Sequence, residues 1–219
     1  MRWAQADTAE ALIYALRASN LPYLIELVEL QAINHLLEPG DLLIAHDLID
    51  LAGPVQRTFF RHKGYGFLPH NPPFCPVLRH YCSAAALSVL ATMACDVRPR
   101  LFRRGTYAAV PADVALSEEH RQVLIDWGAD VVGTGVIPTS GLARELELCY
   151  APLGWVQQAG DESSGALGEA TTNVLRAVIQ ATALALPVER GCACASAMQG
   201  VVERGLVEPD WQTWLPPAT

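Results

Sequence analysis

Apolar residues recur at two spacings along this chain, and the switches between them mark out its elements. Over residues 8–18, Leu12, Ile13 and Leu16 share one helical face, and the break at Ser19-Asn20-Leu21-Pro22 ends that helix. "YLIELVEL" (23–30) reads as a buried strand, and Pro39-Gly40-Asp41 turns the chain into a second strand over 42–49. "FRHKGYGFLPHNPPFCP" is rich in glycine and proline and reads as a long surface loop. An alanine-rich helix over 76–93 follows, and "VRPRLFRRGTYAAV" reads as a strand. Ser117 is placed to cap a helix that runs to Trp127, with Glu118 and Glu119 at its positive end. After it come a strand and turn in "ADVVGTGVIP", a short helix in "TSGLARELE" and an apolar strand in "LCYAPLGWV". A Gly- and Ser-rich loop, "QQAGDESSGALGE", leads to a helix over 170–186 whose apolar face carries Val174, Leu175, Val178, Ile179 and Leu186. "VERGCACASAMQGVVERG" ends in a further helix, and residues 205–219 read as an irregular tail. Alternation of this kind predicts one α/β domain over 1–219, a twisted mixed sheet flanked by helices.

Composition narrows what such a domain does. The 219 residues are 51% hydrophobic and 17% charged, more apolar than a typical soluble monomer, so part of the surface is expected to lie in an oligomer interface. A net charge of −8 disfavours nucleic acid and anionic membranes as partners. The first residues lack a basic segment followed by an apolar run, and no apolar stretch reaches the roughly 18 residues of a membrane span, so a cytoplasmic location is expected. The 6 cysteines are not arranged as a compact disulfide framework and read as thiols.

Most chemistry-bearing residues have a plain structural reading. Cys192 and Cys194 supply two soft ligands with no second pair at zinc spacing, so no metal is expected there. His62, His70, His80 and His120 are scattered and read as solvated or capping side chains. Arg98, Arg100, Arg103 and Arg104 read as a solvated strand edge. Ser163 and Ser164 lack a nucleophile elbow, and Gly133-Thr134-Gly135 lacks the spacing of a dinucleotide-binding fingerprint.

Several separated stretches carry a more specific message: "EPGDLLIAHDLID", "FFRHKGYGFLPHNPPFCP", "RGTYAAV", "WGADVVGTGVIPTSGLARELELCYA" and "ERGCACASAM". In this order the set resembles the 5′-methylthioadenosine phosphorylases of the trimeric purine nucleoside phosphorylase family. The resemblance implies that family's mixed sheet without its first strand, and a trimer or hexamer in which Phe67 is the candidate contact to a neighbouring subunit. It also implies a pentosyltransferase reaction on a purine nucleoside such as methylthioadenosine or methylthioinosine, with phosphate as co-substrate if that activity is retained and no other cofactor. The ligand-binding candidates it gives are Thr106, Thr134, Gly135 and Gln158, the last facing the purine N7 edge.

The chain departs from the family where ligands bind. It begins beyond the Gly-rich phosphate loop and the Arg-His-Gly segment, and Val28 stands at the next phosphate contact with Glu29 beside it, an apolar group and a repelling charge. Pro111-Ala112-Asp113 replaces the Glu-Gly-Pro run, Gly133-Thr134-Gly135 replaces Gly-Met-Thr, and Thr139 replaces a Glu. These letters lead us to expect a degraded phosphate and nucleoside site with little or no phosphorolysis by the chain itself, and leave no assignable catalytic residue. The alternatives are a binding or partner subunit of an intact paralogue, and a hydrolase that needs no phosphate.

Overall fold

A computed structural model describes residues 6–55, 57–60, 68–93, 99–157 and 169–215. Its helices are α1 (Ala6–Ala18), α2 (Pro76–Thr92), α3 (Glu118–Asp126), α4 (Thr139–Glu145), α5 (Glu169–Ala185) and α6 (Gln199–Glu203). The strands are β1 (Tyr23–Ala32), β2 (Leu42–Leu43), β3 (Asp47–Asp50), β4 (Leu101–Phe102), β5 (Thr106–Ala109), β6 (Val131–Gly133) and β7 (Cys149–Val156). They form one 7-stranded mixed sheet in the order β3-β5-β6-β1-β7-β2-β4. At its centre β1 runs parallel to β7, with Tyr23 opposite Cys149 and Leu30 opposite Val156, and antiparallel to β6. All 8 residues of β7 are buried, which fits its apolar sequence and its seat between β1 and β2.

Two stretches expected to be single strands are each broken in two, and the breaks curl the sheet. The 42–50 segment divides into β2 and β3, the 101–109 segment into β4 and β5, and the pairs β2–β4 and β3–β5 are both parallel. These pairs stand at opposite ends of the strand order, so one two-stranded ribbon bends round and joins the two edges. His46 and Gly105 hold the bend: His46 donates its amide to the Gly105 carbonyl (2.9 Å), and Gly105 donates its amide to His46 Nδ1 (3.1 Å). A Cβ on Gly105 would lie 2.5 Å from Leu43 Cδ1, so any larger residue there would have to displace the buried Leu43 side chain.

Helices cover the sheet as their patterns predict, with local exceptions. On α1 the buried row is Ala9 and Ile13, while Leu12 is 51% exposed and leaves the expected face. Ser117 caps α3 by accepting the His120 amide, and His120 returns a ring nitrogen to the Ser117 amide. On α5, Val174, Leu175 and Val178 are buried, and Thr182 joins them by donating its hydroxyl to the Val178 carbonyl (2.7 Å). Among its described residues the Gly- and Pro-rich stretch after Phe60 is more than a surface loop: Leu68, Phe74 and Cys75 are buried, and Phe74 packs on Tyr150. A 3₁₀ turn at Trp211–Trp214 buries Trp211 edge-on to Phe60. No helix among the described residues is long and apolar enough to cross a membrane.

Arg100 lies exposed beside the edge strand β4, as expected, and it also anchors the framework. Its Nε and Nη2 donate to the buried Asp41 carboxylate at 3.0 and 2.5 Å, while the Glu38 amide donates to Asp41 Oδ2 at 2.7 Å. Asp41 thereby closes the turn at Gly40, whose φ of 92° suits glycine, and ties β2 to the segment entering β4. Asp41→Ala strands these donors and should lower unfolding free energy by about 2–3 kcal/mol in urea titration; a change within about 0.5 kcal/mol, the range of ordinary surface substitutions, would show that the turn holds without the carboxylate.

Candidate functional site

β6 ends at Gly133, and the chain passes through Thr134, Gly135 and Val136 towards α4. Ligands of open α/β sheets gather beyond the carboxyl ends of parallel strands, which here are β3, β5 and β6. The turn is packed from inside. A Cβ on Gly133 would stand 2.2 Å from Tyr107 Oη and 2.9 Å from the Glu29 carbonyl, and one on Gly135 would stand 3.0 Å from Val28 Cγ1. Val136 adopts a φ of 75°, unfavourable for a β-branched residue and held by its surroundings.

Those surroundings centre on Glu26. Val136 donates its amide to Glu26 Oε1 (3.3 Å), Tyr150 donates its hydroxyl to Glu26 Oε2 (2.5 Å), and Thr139 adds a side-chain hydrogen bond. Gly135 donates its amide to Tyr107 Oη at 3.0 Å. Burial pushes the Glu26 carboxyl above its ordinary range, with the three hydrogen bonds partly offsetting it. Burial and the Glu26 charge push the Tyr150 hydroxyl up as well, so it remains a proton donor.

Beside the turn lies a cavity of about 340 Å³ lined by, among others, Asp50, Arg57, His70, Ser140 and Glu145, a volume at the lower end of small-molecule sites. Asp50 and Arg57 form an ion pair on its wall. Ser140 Oγ is buried without a hydrogen-bond partner among the described residues. Glu145, 3% exposed, accepts the Phe59 amide (2.7 Å) and a Thr58 hydrogen bond, and burial, helped by the Glu10 charge, pushes its carboxyl up to about 7.

Of the ligand-binding candidates expected from sequence, Thr134 and Gly135 share the turn and Thr106 lies apart from them. Thr134 is exposed on the turn and Gly135 lies beneath it. Thr106 stands at the amino end of β5, the opposite end of the parallel strands, where its amide binds Asp130 Oδ2 (2.8 Å). Gln158 and Phe67 lie outside the described residues, as do His62, Arg98, Ser163 and Ser164. Val28 does reach the turn, but the carboxylate beside it is Glu26, two residues away on the same strand face, and not Glu29. His70 borders the cavity. The count of two soft ligands at Cys192 and Cys194 is also corrected: the fold brings Cys75 and Cys149 to them, with all four Sγ atoms within 4.8 Å of one another.

A sequence profile described as the phosphorylase superfamily matches residues 32–192. The chain belongs to the phosphorylase superfamily. Among its curated relatives, S-methyl-5′-thioadenosine phosphorylase of Thermofilum pendens is 25% identical over 195 residues, covering 85% of this chain and 71% of the relative. The 6-oxopurine nucleoside phosphorylase of Pyrococcus furiosus is 26% identical over 205 residues, covering 86% and 74%. Methylthioadenosine phosphorylase from an Antarctic soil metagenomic library superposes with a TM-score of 0.77 at 20% identity, over 95% of this chain and 77% of that one. The Schistosoma mansoni methylthioadenosine phosphorylase gives 0.76 at 18%, over 91% and 76%. The superfamily fold expected from the sequence is therefore present.

Within this superfamily scaffold, Glu145 gives a pH signature. Its folded value near 7 exceeds its ordinary 4.5, so between those values the folded chain keeps a proton that the unfolded chain has released. Its contribution therefore weakens stability as pH rises through that window, by about 3 kcal/mol at most. Urea titrations at about pH 5 and about pH 7.5 should show Glu145→Gln losing less stability than the parent over this interval; equal losses would place the Glu145 carboxyl in water.

Proposed function

We propose that this chain is a purine-nucleoside-binding member of the superfamily that carries out little or no phosphorolysis by itself. The nucleoside class is drawn from relatives named for methylthioadenosine and 6-oxopurine nucleosides. The observation that carries the second half is the use of the turn's donors. A phosphate dianion leaves water only for several donors or cations. At the carboxyl end of β6 the Val136 amide already serves Glu26, the Gly135 amide serves Tyr107, and the Glu26 carboxylate, when ionised, repels an anion. Losing one positioned donor typically costs about 10²–10³ in rate, so the loss of several takes turnover to background.

In this reading the protein works in the cytoplasm as an oligomer, or beside an intact paralogue that supplies the phosphate chemistry. Supporting an oligomer, Val123, Ile125 and Trp127 on and just after α3 are 45%, 45% and 59% exposed, and Leu184 on α5 is 90% exposed. Light scattering of dilute protein should give a mass several times that of one chain; monomer alone would remove this part.

Purified protein incubated with methylthioadenosine and phosphate should release no adenine beyond the blank, while calorimetry detects saturable nucleoside binding. Phosphate-dependent adenine release that scales with protein would overturn the proposal. Release independent of phosphate would replace it with hydrolysis.

A further inference from the structure

Three elements distant in sequence converge on four sulfur atoms. Cys75 is the N-cap of α2, Cys149 opens β7, and Cys192 and Cys194 flank the start of a 3₁₀ turn over Ala193–Ser196. All four Sγ atoms lie within 4.8 Å of one another, and the Cys149–Cys192 pair stands at 3.4 Å. A disulfide would need about 2.05 Å, and each of these cysteines is a free thiol. Four sulfurs held about 2.3 Å from one centre at tetrahedral corners are about 3.8 Å apart, a spacing that falls between these separations. The group contains no carboxylate and no imidazole. We propose that Cys75, Cys149, Cys192 and Cys194 form a structural site for a single thiophilic, tetrahedral cation, with Zn²⁺ as its occupant.

The surroundings suit such a site. Thiolate prefers zinc-like soft cations over magnesium or calcium, and four thiolates around Zn²⁺ leave a net charge of −2 that must be balanced nearby. Leu78 donates its amide to Cys75 Sγ (3.4 Å), and the positive end of the 17-residue helix α2 faces the same sulfur. Two ligands are rigidly placed: the Cys75 amide binds the Tyr150 carbonyl (2.8 Å), and the Cys149 amide binds the Pro22 carbonyl (2.8 Å). Cys75 and Cys149 are buried, whereas Cys192 and Cys194 are half-buried, which gives the ion a path in. Tyr23 lies alongside and donates its hydroxyl to the Pro187 carbonyl (2.8 Å), holding the segment that delivers Cys192. Binding consumes no redox equivalent. Each thiol that ligates gives up its proton to solvent, and the cation exchanges its waters for sulfur. The site's work is to fasten the chain after α5 to the start of β7 and the start of α2.

The full chain, purified under reducing conditions without chelator or added metal, should carry about one zinc per chain by mass spectrometry of the metal. Reduced metal-free protein should take up one equivalent in competition with a chromophoric chelator, and Co²⁺ in its place should give the visible bands of tetrahedral thiolate coordination. Cys192→Ser and Cys194→Ser alter half-buried positions outside the sheet core. Each should weaken zinc affinity by about 100-fold or more with far-ultraviolet circular dichroism unchanged, whereas Cys82→Ala, a buried thiol beside Thr182, should leave affinity as it was. No uptake by the folded, reduced chain, or uptake undiminished in the Cys192→Ser/Cys194→Ser double variant, would overturn the proposal. This outcome is independent of whether the chain turns over a nucleoside.

Discussion

A carboxylate held inside the sheet organises the ligand-facing end of this protein. Glu26 projects from the central strand β1 and meets Tyr150 on β7, the Val136 amide at the end of the β6 turn, and Thr139 at the start of α4. A buried charge is costly unless hydrogen bonds compensate it, so these partners are constrained to stay where they are. The left-handed Val136 and the close approach of Gly135 to Val28 follow from that constraint. The same constraint directs turn donors inward, and this links the packing of β1 to the proposed lack of phosphate chemistry.

The sheet's closure and the sulfur cluster act at other levels of the same architecture. His46 and Gly105 bend the β2–β4 and β3–β5 ribbon so that it joins the sheet's edges, which brings the carboxyl end of β3 to the cavity beside α4. On the other side, the start of β7 and the N-terminus of α2 meet the segment after α5 at the four cysteines. One end of β7 thus faces the sulfur cluster, while Tyr150, its second residue, turns to Glu26. Alternation along a strand puts neighbouring side chains on opposite faces, and here it separates an anchoring site from a candidate binding site by a single residue.

The fold was largely legible in the sequence because its signals are local. The Ser117 cap, the apolar run of β7 and the Val174, Leu175 and Val178 face of α5 each announce themselves within a few residues. The ordered set of turns around "PGD" and "GTG" pointed to the superfamily. The ribbon's bend was missed because 42–50 and 101–109 each read as continuous strand, and the reason for the break lies in contacts 59 residues apart. The site was less legible for the same reason. Glu26, one of two charges in β1, did not stand out in the sequence, although it shares a strand face with the buried Val28 and Leu30 and is itself half-buried. Nothing in local spacing links Cys75 to Cys149 or either to Cys192, so a metal reading from the C-x-C pair alone counted two ligands where the fold supplies four.

The burial of Glu26 can be measured directly by following its side-chain carboxyl carbon by NMR as pH is varied. Glu26 is predicted to titrate above the ordinary glutamate range, and to move further up in Tyr150→Phe, because the lost hydrogen bond is one that favours the ionised form. A Glu26 that titrates at the ordinary value and ignores Tyr150→Phe would place its carboxylate in water, free the turn's donors, and contradict the role assigned to it.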